Sequence, residues 1–380
     1  INLMAKTNLL ASTGRLNEAL EHSKKALNEC RTLMALGYEQ LRVDAAANLM
    51  NMGRLQDKVG LTDEALDSYE QALSEYQTLV KNGREEHRAD LAFTLKTVGR
   101  MRKNTGRVVE AVGPYKEALR EYQKLLKEGH DQLRGDEAAT LMNLGNTLKE
   151  LGRLDDALRQ YEKALRGFQV LVKQGHEDHL DDIALTLMNM GAALLDSGQL
   201  DEALRCLERA LQGYQDLIVR GHERLRANAA RTLMNMGIAL AEGKRLDEAL
   251  ACHEKALGEY QTLLAQGHEE HIADAAQNLL TLGATLHKAG REHEAIERFK
   301  QALVAYQTLA KNGNEQHGAF ALITMVNMGS ALGDIRLLSL TLGELRTRIA
   351  QGHEQVRSIA ATTLLNMGVL LVNSGQLEET

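Results

Sequence analysis

The sequence is poor in proline, tryptophan and cysteine, and these shortages narrow the choice of fold. Of its 380 residues one is proline, none is tryptophan, and 3% are aromatic. A β-rich or mixed α/β chain of this length would need more turn-forming residues than a single proline supplies. The three cysteines, at positions 30, 206 and 252, are too scattered to form a disulfide framework. We therefore expect an all-α protein in a reducing compartment, with a cytoplasmic location.

The sequence also lacks an excess of basic residues and a long apolar run. The formal net charge is -7, from 52 acidic and 45 basic residues, so the basic excess that phosphate backbones require is absent. No apolar run is long enough to span a membrane. There is also no glycine-rich phosphate loop, no pair of pocket carboxylates and no nucleophile–histidine constellation. We expect no enzymatic activity, no cofactor, no metal, and neither nucleic acid nor membrane as a partner.

What the chain does have is a strict period. Glycines recur every 46 residues, first at 37, 83, 129, 175, 221, 267 and 313, and again at 53, 99, 145, 191, 237, 283 and 329. A third series, which starts at Gly14 and passes through Gly152 and Gly198, slips at Gly243 and resumes at Gly290. A fixed period of this length is the signature of a repeat array.

One repeat, residues 175–220, contains two helical patterns. Apolar residues spaced by three and four predict a first helix from Asp182 to Leu195 and a second from Leu200 to Val219. Gly198 and Gly221 follow them, as glycine does after a helix C-terminus. The unit is a helical hairpin, which buries its apolar faces only by stacking on its neighbours.

These hairpins resemble the tetratricopeptide repeat. Gly145, Gly152, Ala157, Tyr161 and Ala164 stand at that family's spacings. The sequence departs from the family in having leucine in place of the first helix's tryptophan, and in its 46-residue period instead of about 34. Long-period arrays of this kind are similar to those of kinesin light chains and of large bacterial signalling and defence proteins. The resemblance implies a right-handed α-solenoid of tandem antiparallel helical hairpins with a concave groove lined by the first helix of each hairpin, helix A.

We predict that residues 1–380 form a single solenoid of about eight repeats. Residues 1–13 match the middle of a helix A, and residues 375–380 repeat a turn and helix start, so we expect a fragment of a longer array. The step from Gly313 to Gly352 is 39 residues, which indicates a shortened last unit at about 330–352. This shortening is either drift in a late repeat or a break at which a partner docks.

Asparagine recurs at one position of helix A although it is a poor helix former. The row is Asn51, Asn143, Asn189, Asn235, Asn327 and Asn366. In related arrays such a residue faces the groove, and its amide can both donate to and accept from a peptide backbone. The alternative is a hydrogen bond between repeats that fixes their stacking, and both interpretations stay open. A neighbouring row of methionines, including Met142, Met188 and Met234, is expected to be core.

Other groove positions vary along the chain. The bases Arg54, Lys96, Arg100, Lys103 and Lys149 occur in the N-terminal half, whereas Leu185, Leu195 and Ile238 occupy central places. We predict a groove that is basic first and apolar afterwards, against the alternative of ordinary surface variation. In the loops between repeats, histidine pairs such as His176 and His179 lack the spacing of a zinc motif, and the acid beside them is expected to cap the next helix.

The sequence therefore predicts a scaffold that binds an extended peptide or protein segment in its groove. Two alternatives remain. One is a sensor region of a larger bacterial enzyme, a caspase-like protease or a nucleotide-binding signalling protein, whose catalytic domain lies outside this chain. The other is a self-assembling array.

Overall fold

The computed structural model describes residue 10 and residues 13–311, 315–353 and 356–373. Of these residues 88% are helical, counting short 3-10 turns, and none is in a strand. The predicted α-solenoid of tandem helical hairpins is confirmed. The expectations for residues 1–13 and 375–380 fall almost wholly on residues outside the described ones. The chain divides into two compact units, residues 1–197 and 198–380.

Unit 1 contains eight α-helices in its described part. Those with odd numbers have 20 residues and those with even numbers have 17: α1 (Leu16–Ala35), α2 (Arg42–Lys58), α3 (Thr62–Lys81), α4 (Arg88–Asn104), α5 (Val108–Lys127), α6 (Arg134–Glu150), α7 (Leu154–Lys173) and α8 (Leu180–Asp196). The even-numbered helices are the A helices and the odd-numbered ones the B helices. A three-residue 3-10 turn precedes each A helix of this unit, as at Glu39–Leu41 before α2.

Unit 2 continues the alternation over its described residues. Its helices are α9 (Leu200–Val219), α10 (Arg226–Glu242), α11 (Leu246–Ala265), α12 (Ile272–Lys288), α13 (Glu292–Lys311), α14 (Glu315–Leu332), α15 (Ile335–Ala350) and α16 (Arg357–Asn373). Helix α15 is four residues shorter than the B helices before it, and a cavity of about 420 Å³ lies beside its C-terminal half, next to Arg348 and Gln351.

The hairpin turns depend on residues with positive φ. Gly152, at φ +71°, ends α6, and the N–H groups of Gly152 and Arg153 donate to the carbonyls of Lys149 and Leu148 at 2.9 Å each. This double closure is the Schellman motif, which glycine accommodates without strain. Where the glycine series slips, Lys244 takes the turn position at φ +61° and is the one non-glycine residue with positive φ in the described chain.

Six glycines in the middle of A helices have a different role, because each of them faces a ring or a branched side chain of a B helix. A Cβ on Gly145 would lie 2.6 Å from Cε1 of Tyr161, and one on Gly283 would lie 2.6 Å from Cε1 of Phe299. Tyr161 and Phe299 are fully buried. Only a residue without a side chain allows the two helices to approach this closely, which explains a glycine in mid-helix.

A buried polar row recurs along the A helices. Most of its members are threonines, but two are asparagines. The two asparagines bond to the preceding B helix, whereas a threonine such as Thr140 donates to a carbonyl of its own helix, that of Asp136. Nδ2 of Asn48 donates to the carbonyl of Ser23, and Nδ2 of Asn278 donates to the carbonyl of His253, both at 2.8 Å. Ser23 and His253 stand where other B helices carry a ring or leucine.

His253 is fully buried, and this burial governs its protonation. Its Nδ1 lies 3.1 Å from Oδ1 of Asn278, while its Nε2 has no partner in the described part of the chain. Burial lowers the pKa of His253 to about 4, against the smaller opposing effect of the Asn278 bond. The imidazole is therefore neutral at ordinary pH.

Candidate functional site

The A helices form the inner layer of each unit. In unit 1, α4 contacts α6, and α6 contacts α8; in unit 2, α10, α12, α14 and α16 contact one another in succession. Successive B helices in the described parts of each unit make no comparable contacts, because A helices separate them. We call the surface of the A helices that is turned away from the B helices the A face.

The six asparagines of the predicted row are all half-exposed on A helices. Two of them are engaged: Oδ1 of Asn51 accepts from Nη2 of Arg54 at 3.3 Å, and Nδ2 of Asn366 donates to Oγ of Ser330 at 2.8 Å. The Asn366 bond joins α16 to α14 and agrees with the stacking interpretation at that position. The other four make no side-chain hydrogen bond to any described residue: Asn143, Asn189, Asn235 and Asn327.

Four of the predicted groove cations are paired with acids on neighbouring A helices. Nζ of Lys96 lies 2.5 Å from Oδ1 of Asp136, and Nζ of Lys149 lies 3.0 Å from Oδ2 of Asp196. The other two pairs are longer, Arg100–Asp57 at 3.5 Å and Lys103–Glu150 at 3.4 Å. Each pair connects successive A helices. Partly exposed pairs of this kind contribute at most about 1 kcal/mol each, but they neutralise the local charge.

The predicted apolar residues are half-exposed. Leu185 packs beside the core around Tyr161, and Ile238 packs beside the core around Met234. Leu195 is also half-exposed on α8. The methionines at 142, 188 and 234 are buried, which agrees with their expected place in the core.

A small pocket in unit 2 is lined by the amide of Asn327 and by aliphatic side chains. It measures about 270 Å³ and lies between α14 and α16, where it is lined by Ile323, Val326, Asn327, Ser358, Ile359 and Thr362. Asn327 brings a donor and an acceptor to a cavity whose other side chains are mostly aliphatic. The pocket can therefore hold an apolar side chain while the amide bonds to the adjacent peptide group.

The second histidine of three loops lies within hydrogen-bond distance of the acid three residues further along the chain, at His87, His179 and His271. Nδ1 of His179 lies 2.8 Å from Oδ2 of Asp182, and its ring packs 5.5 Å from that of Phe168. Burial raises the pKa of Asp182, and the His179 bond opposes this shift. The loop acid Glu177 does not stand at an N-cap position, which is taken by His176 for the 3-10 segment and by His179 for α8, so its capping of the next helix stays a prediction. The acid lies instead in the first turn of the 3-10 segment.

Family models agree with this architecture. Models of the tetratricopeptide repeat match residues 49–79, 90–169 and 182–258. The chain is a tetratricopeptide-repeat protein. Among its described residues, no group of three or more histidine, cysteine or acidic side chains is placed to hold a metal ion, and no helix is long and apolar enough to cross a membrane.

Solved structures share the tetratricopeptide fold at low sequence identity. BtubC (BKLC) from P. vanneervenii superposes with a TM-score of 0.52 and 23% identity, over 65% of this chain and 92% of its own. RapI in its apo form gives 0.63 and 13% identity, over 99% and 98% of the two chains. A Rap protein complexed with competence and sporulation factor gives 0.56 and 14%, over 99% and 98%. No curated protein matches the chain in sequence.

Sequence reasoning missed two residues of the A face. Phe93 is 47% exposed on α4, and Nζ of Lys96 lies 4.6 Å from the centre of its ring. Ile323 lines the pocket that contains Asn327. Phe93 lies two 46-residue periods before Leu185 and Ile323 lies three periods after it, so following the Leu185 position in steps of 46 residues would have found both.

Proposed function

We propose that the chain is a protein-interaction scaffold whose A face binds an extended segment of a partner polypeptide. The observation that carries the proposal is a set of half-exposed asparagines whose side chains bond to none of the described residues: Asn143 and Asn189 in unit 1, and Asn235 and Asn327 in unit 2. An amide offers both a donor and an acceptor, which suits the alternating groups of a peptide backbone.

Hydrogen bonds to the partner's backbone add affinity but select little for the partner's sequence. The aliphatic wall around Asn327 supports a second contribution, because an apolar side chain of the partner would fill it while the amide holds the backbone. Recognition of main-chain groups with pockets for side chains is a recurrent way of binding extended peptides. The solved complex of a Rap protein with competence and sporulation factor supports the view that a fold of this kind accommodates a partner.

The ion pairs of the A face change the expected selectivity. Because Lys96, Arg100, Lys103 and Lys149 are already opposed by acids, the partner needs no excess of acidic residues. Affinity at the A face should therefore depend only weakly on salt. This differs from the strong salt dependence expected of four unpaired bases.

The test uses peptides selected from a phage-displayed random 12-residue library on the wild-type chain. Their dissociation constants are measured by fluorescence anisotropy for wild type, for Asn143→Ala/Asn189→Ala, and for Asn28→Ala as the control. Asn28 is an exposed asparagine on the B helix α1. Loss of two hydrogen bonds at about 0.5–1.5 kcal/mol each should weaken binding about 5- to 150-fold.

Two further measurements separate binding from stacking. Methylating single backbone nitrogens of a selected peptide should weaken its binding to wild type and have less effect on its residual binding to the double variant. The melting temperature of the double variant should match that of wild type. Selected peptides that bind the double variant as tightly as wild type would refute the proposal, and an early melt would assign these asparagines to repeat stacking.

A further inference from the structure

Unit 1 has a pocket on the side opposite to the A face. It measures about 340 Å³ and lies between the B helices α5 and α7, with α6 beneath. Leu119 of α5 and three leucines of α6, Leu141, Leu144 and Leu148, form its apolar floor. The rim is polar and contains five charged side chains, four of which are basic.

Three of the four basic residues have no ion pair with any described residue: Lys116, Arg120 and Lys163, all of them exposed. The fourth, Arg153, binds Asp156, with Nη2 2.5 Å from Oδ2. Asp156 is thus satisfied within the protein. A second acid, Glu137 of α6, bonds to Gln123 and attracts Lys163, so the excess charge around the pocket is positive but is partly compensated at Lys163. This contrasts with the A face, where four of the cations have acidic partners.

The basic residues Lys116, Arg120 and Lys163 differ from the residues found at the same positions in other repeats. One repeat earlier, the corresponding residues are Glu70, Ser74 and Glu117. Further along the chain, the equivalent set Glu254, Gly258 and Gln301 contains no base. No other repeat places three bases at these positions. Since the hairpin folds equally well with acidic and neutral residues there, the fold does not require the cluster.

We propose that this pocket binds an acidic segment of a partner polypeptide, with one apolar side chain on the leucine floor and carboxylates against Lys116, Arg120 and Lys163. Charge-assisted bonds to lysine and arginine are stronger than neutral ones, and a cationic rim speeds the encounter with an acidic chain. The apolar floor favours a polypeptide over a simple anion, because a free anion would leave the leucines unused. The pocket and the A face lie on different sides of unit 1, so one chain can engage two segments.

The structure also suggests the test variant, Lys116→Glu/Arg120→Ser/Lys163→Glu, which installs the residues found one repeat earlier. The control is Lys25→Glu/Lys58→Ser/Lys81→Glu. It changes the net charge by the same amount at exposed lysines that do not line the pocket. The probe is a phage-displayed random 12-residue library, selected in parallel on wild type and on the pocket variant, followed by anisotropy with synthetic peptides and their Asp→Asn, Glu→Gln counterparts.

Selection on wild type should enrich peptides with several Asp or Glu residues around one apolar residue, and selection on the pocket variant should not. Those peptides should bind the pocket variant at least about 10-fold more weakly than wild type. They should bind the control variant and Asn143→Ala/Asn189→Ala as tightly as wild type, and their affinity should fall as the salt concentration rises. Three outcomes overturn the proposal: no acidic enrichment, an equal loss of affinity in the control, or amide counterparts that bind as well as the acidic peptides. Loss of acidic peptides in the asparagine variant would assign them to the A face instead.

Discussion

Replacing Gly283 by alanine tests the close approach between an A helix and its B helix. The new Cβ would lie 2.6 Å from Cε1 and 2.7 Å from Cδ1 of Phe299. Ordinary carbon contacts begin at 3.4 Å, so the ring must retreat by about 0.8 Å. Phe299 is fully buried and packed within the core cluster of α12 and α13, which leaves the ring no free space. Overpacking of this kind costs about 1–3 kcal/mol.

Gly258 provides the matched control, because it also lies inside a helix of unit 2 but would meet nothing within 4 Å. Alanine is favoured over glycine in a helix interior by about 1 kcal/mol. Gly258→Ala should therefore stabilise the protein by about that amount, while the same gain in Gly283→Ala is offset by the clash. The difference between the two variants isolates the steric cost, which we expect to be about 1–3 kcal/mol.

The measurement is urea unfolding followed by circular dichroism, with Phe299→Leu added in a double-mutant cycle. Leucine is compatible with the site, because Leu338 occupies the corresponding place against Gly329. Gly283→Ala should be better tolerated in the Phe299→Leu background than in wild type. Equal stability of Gly283→Ala and Gly258→Ala, or a cycle without coupling, would show that the ring does not restrict the glycine.

Further predictions concern single residues of unit 2. The pKa of His253 is about 4 in the folded protein and about 6.5 in the unfolded chain, so the unfolded chain binds the proton more readily. Lowering the pH from 6.5 to 4 should therefore reduce the free energy of unfolding progressively, by up to about 3 kcal/mol. Urea titrations across this range should give a smaller pH dependence for His253→Phe, and equal dependence in both proteins would contradict the assignment. Lys244→Gly should raise the free energy of unfolding by about 1 kcal/mol, because it relieves a left-handed conformation, and a lower value would refute that account. Asn366→Ala should lower stability by about 1 kcal/mol through loss of its bond to Ser330, whereas Asn327→Ala should not; equal effects would mean that both amides serve stacking.

The helices and turns could be predicted from the sequence because each depends on residues close together in the chain. The turn glycines mark the helix ends, and the apolar spacing around residues 182–195 and 200–219 corresponds to α8 and α9 within a few residues. The close approach of Gly145 to Tyr161 was implicit in the period, although the spacing alone does not say which ring faces which glycine.

Contacts between repeats could not be predicted in the same way. The pairs Lys96–Asp136 and Asn48–Ser23 join residues 40 and 25 positions apart, and whether such residues meet depends on how one hairpin rotates on the next. Sequence reasoning therefore identified the cations of the A face but not the acids that neutralise them. It also identified the half-exposed asparagine row and overlooked the buried polar row three residues earlier in each A helix.

The buried pair His253–Asn278 also bears on how similar hairpins find their correct neighbours during folding. Repeats that are alike can stack out of order, since most of their interfaces carry the same apolar residues. A hairpin with Asn278 placed on a neighbour that carries tyrosine would leave the Oδ1 of that amide buried without its imidazole partner, at a cost of about 1–3 kcal/mol. A threonine hairpin placed on His253 would leave the imidazole Nδ1 without a partner in turn. The two residues thus specify which hairpin stacks on which, and uniform apolar packing cannot provide this specificity.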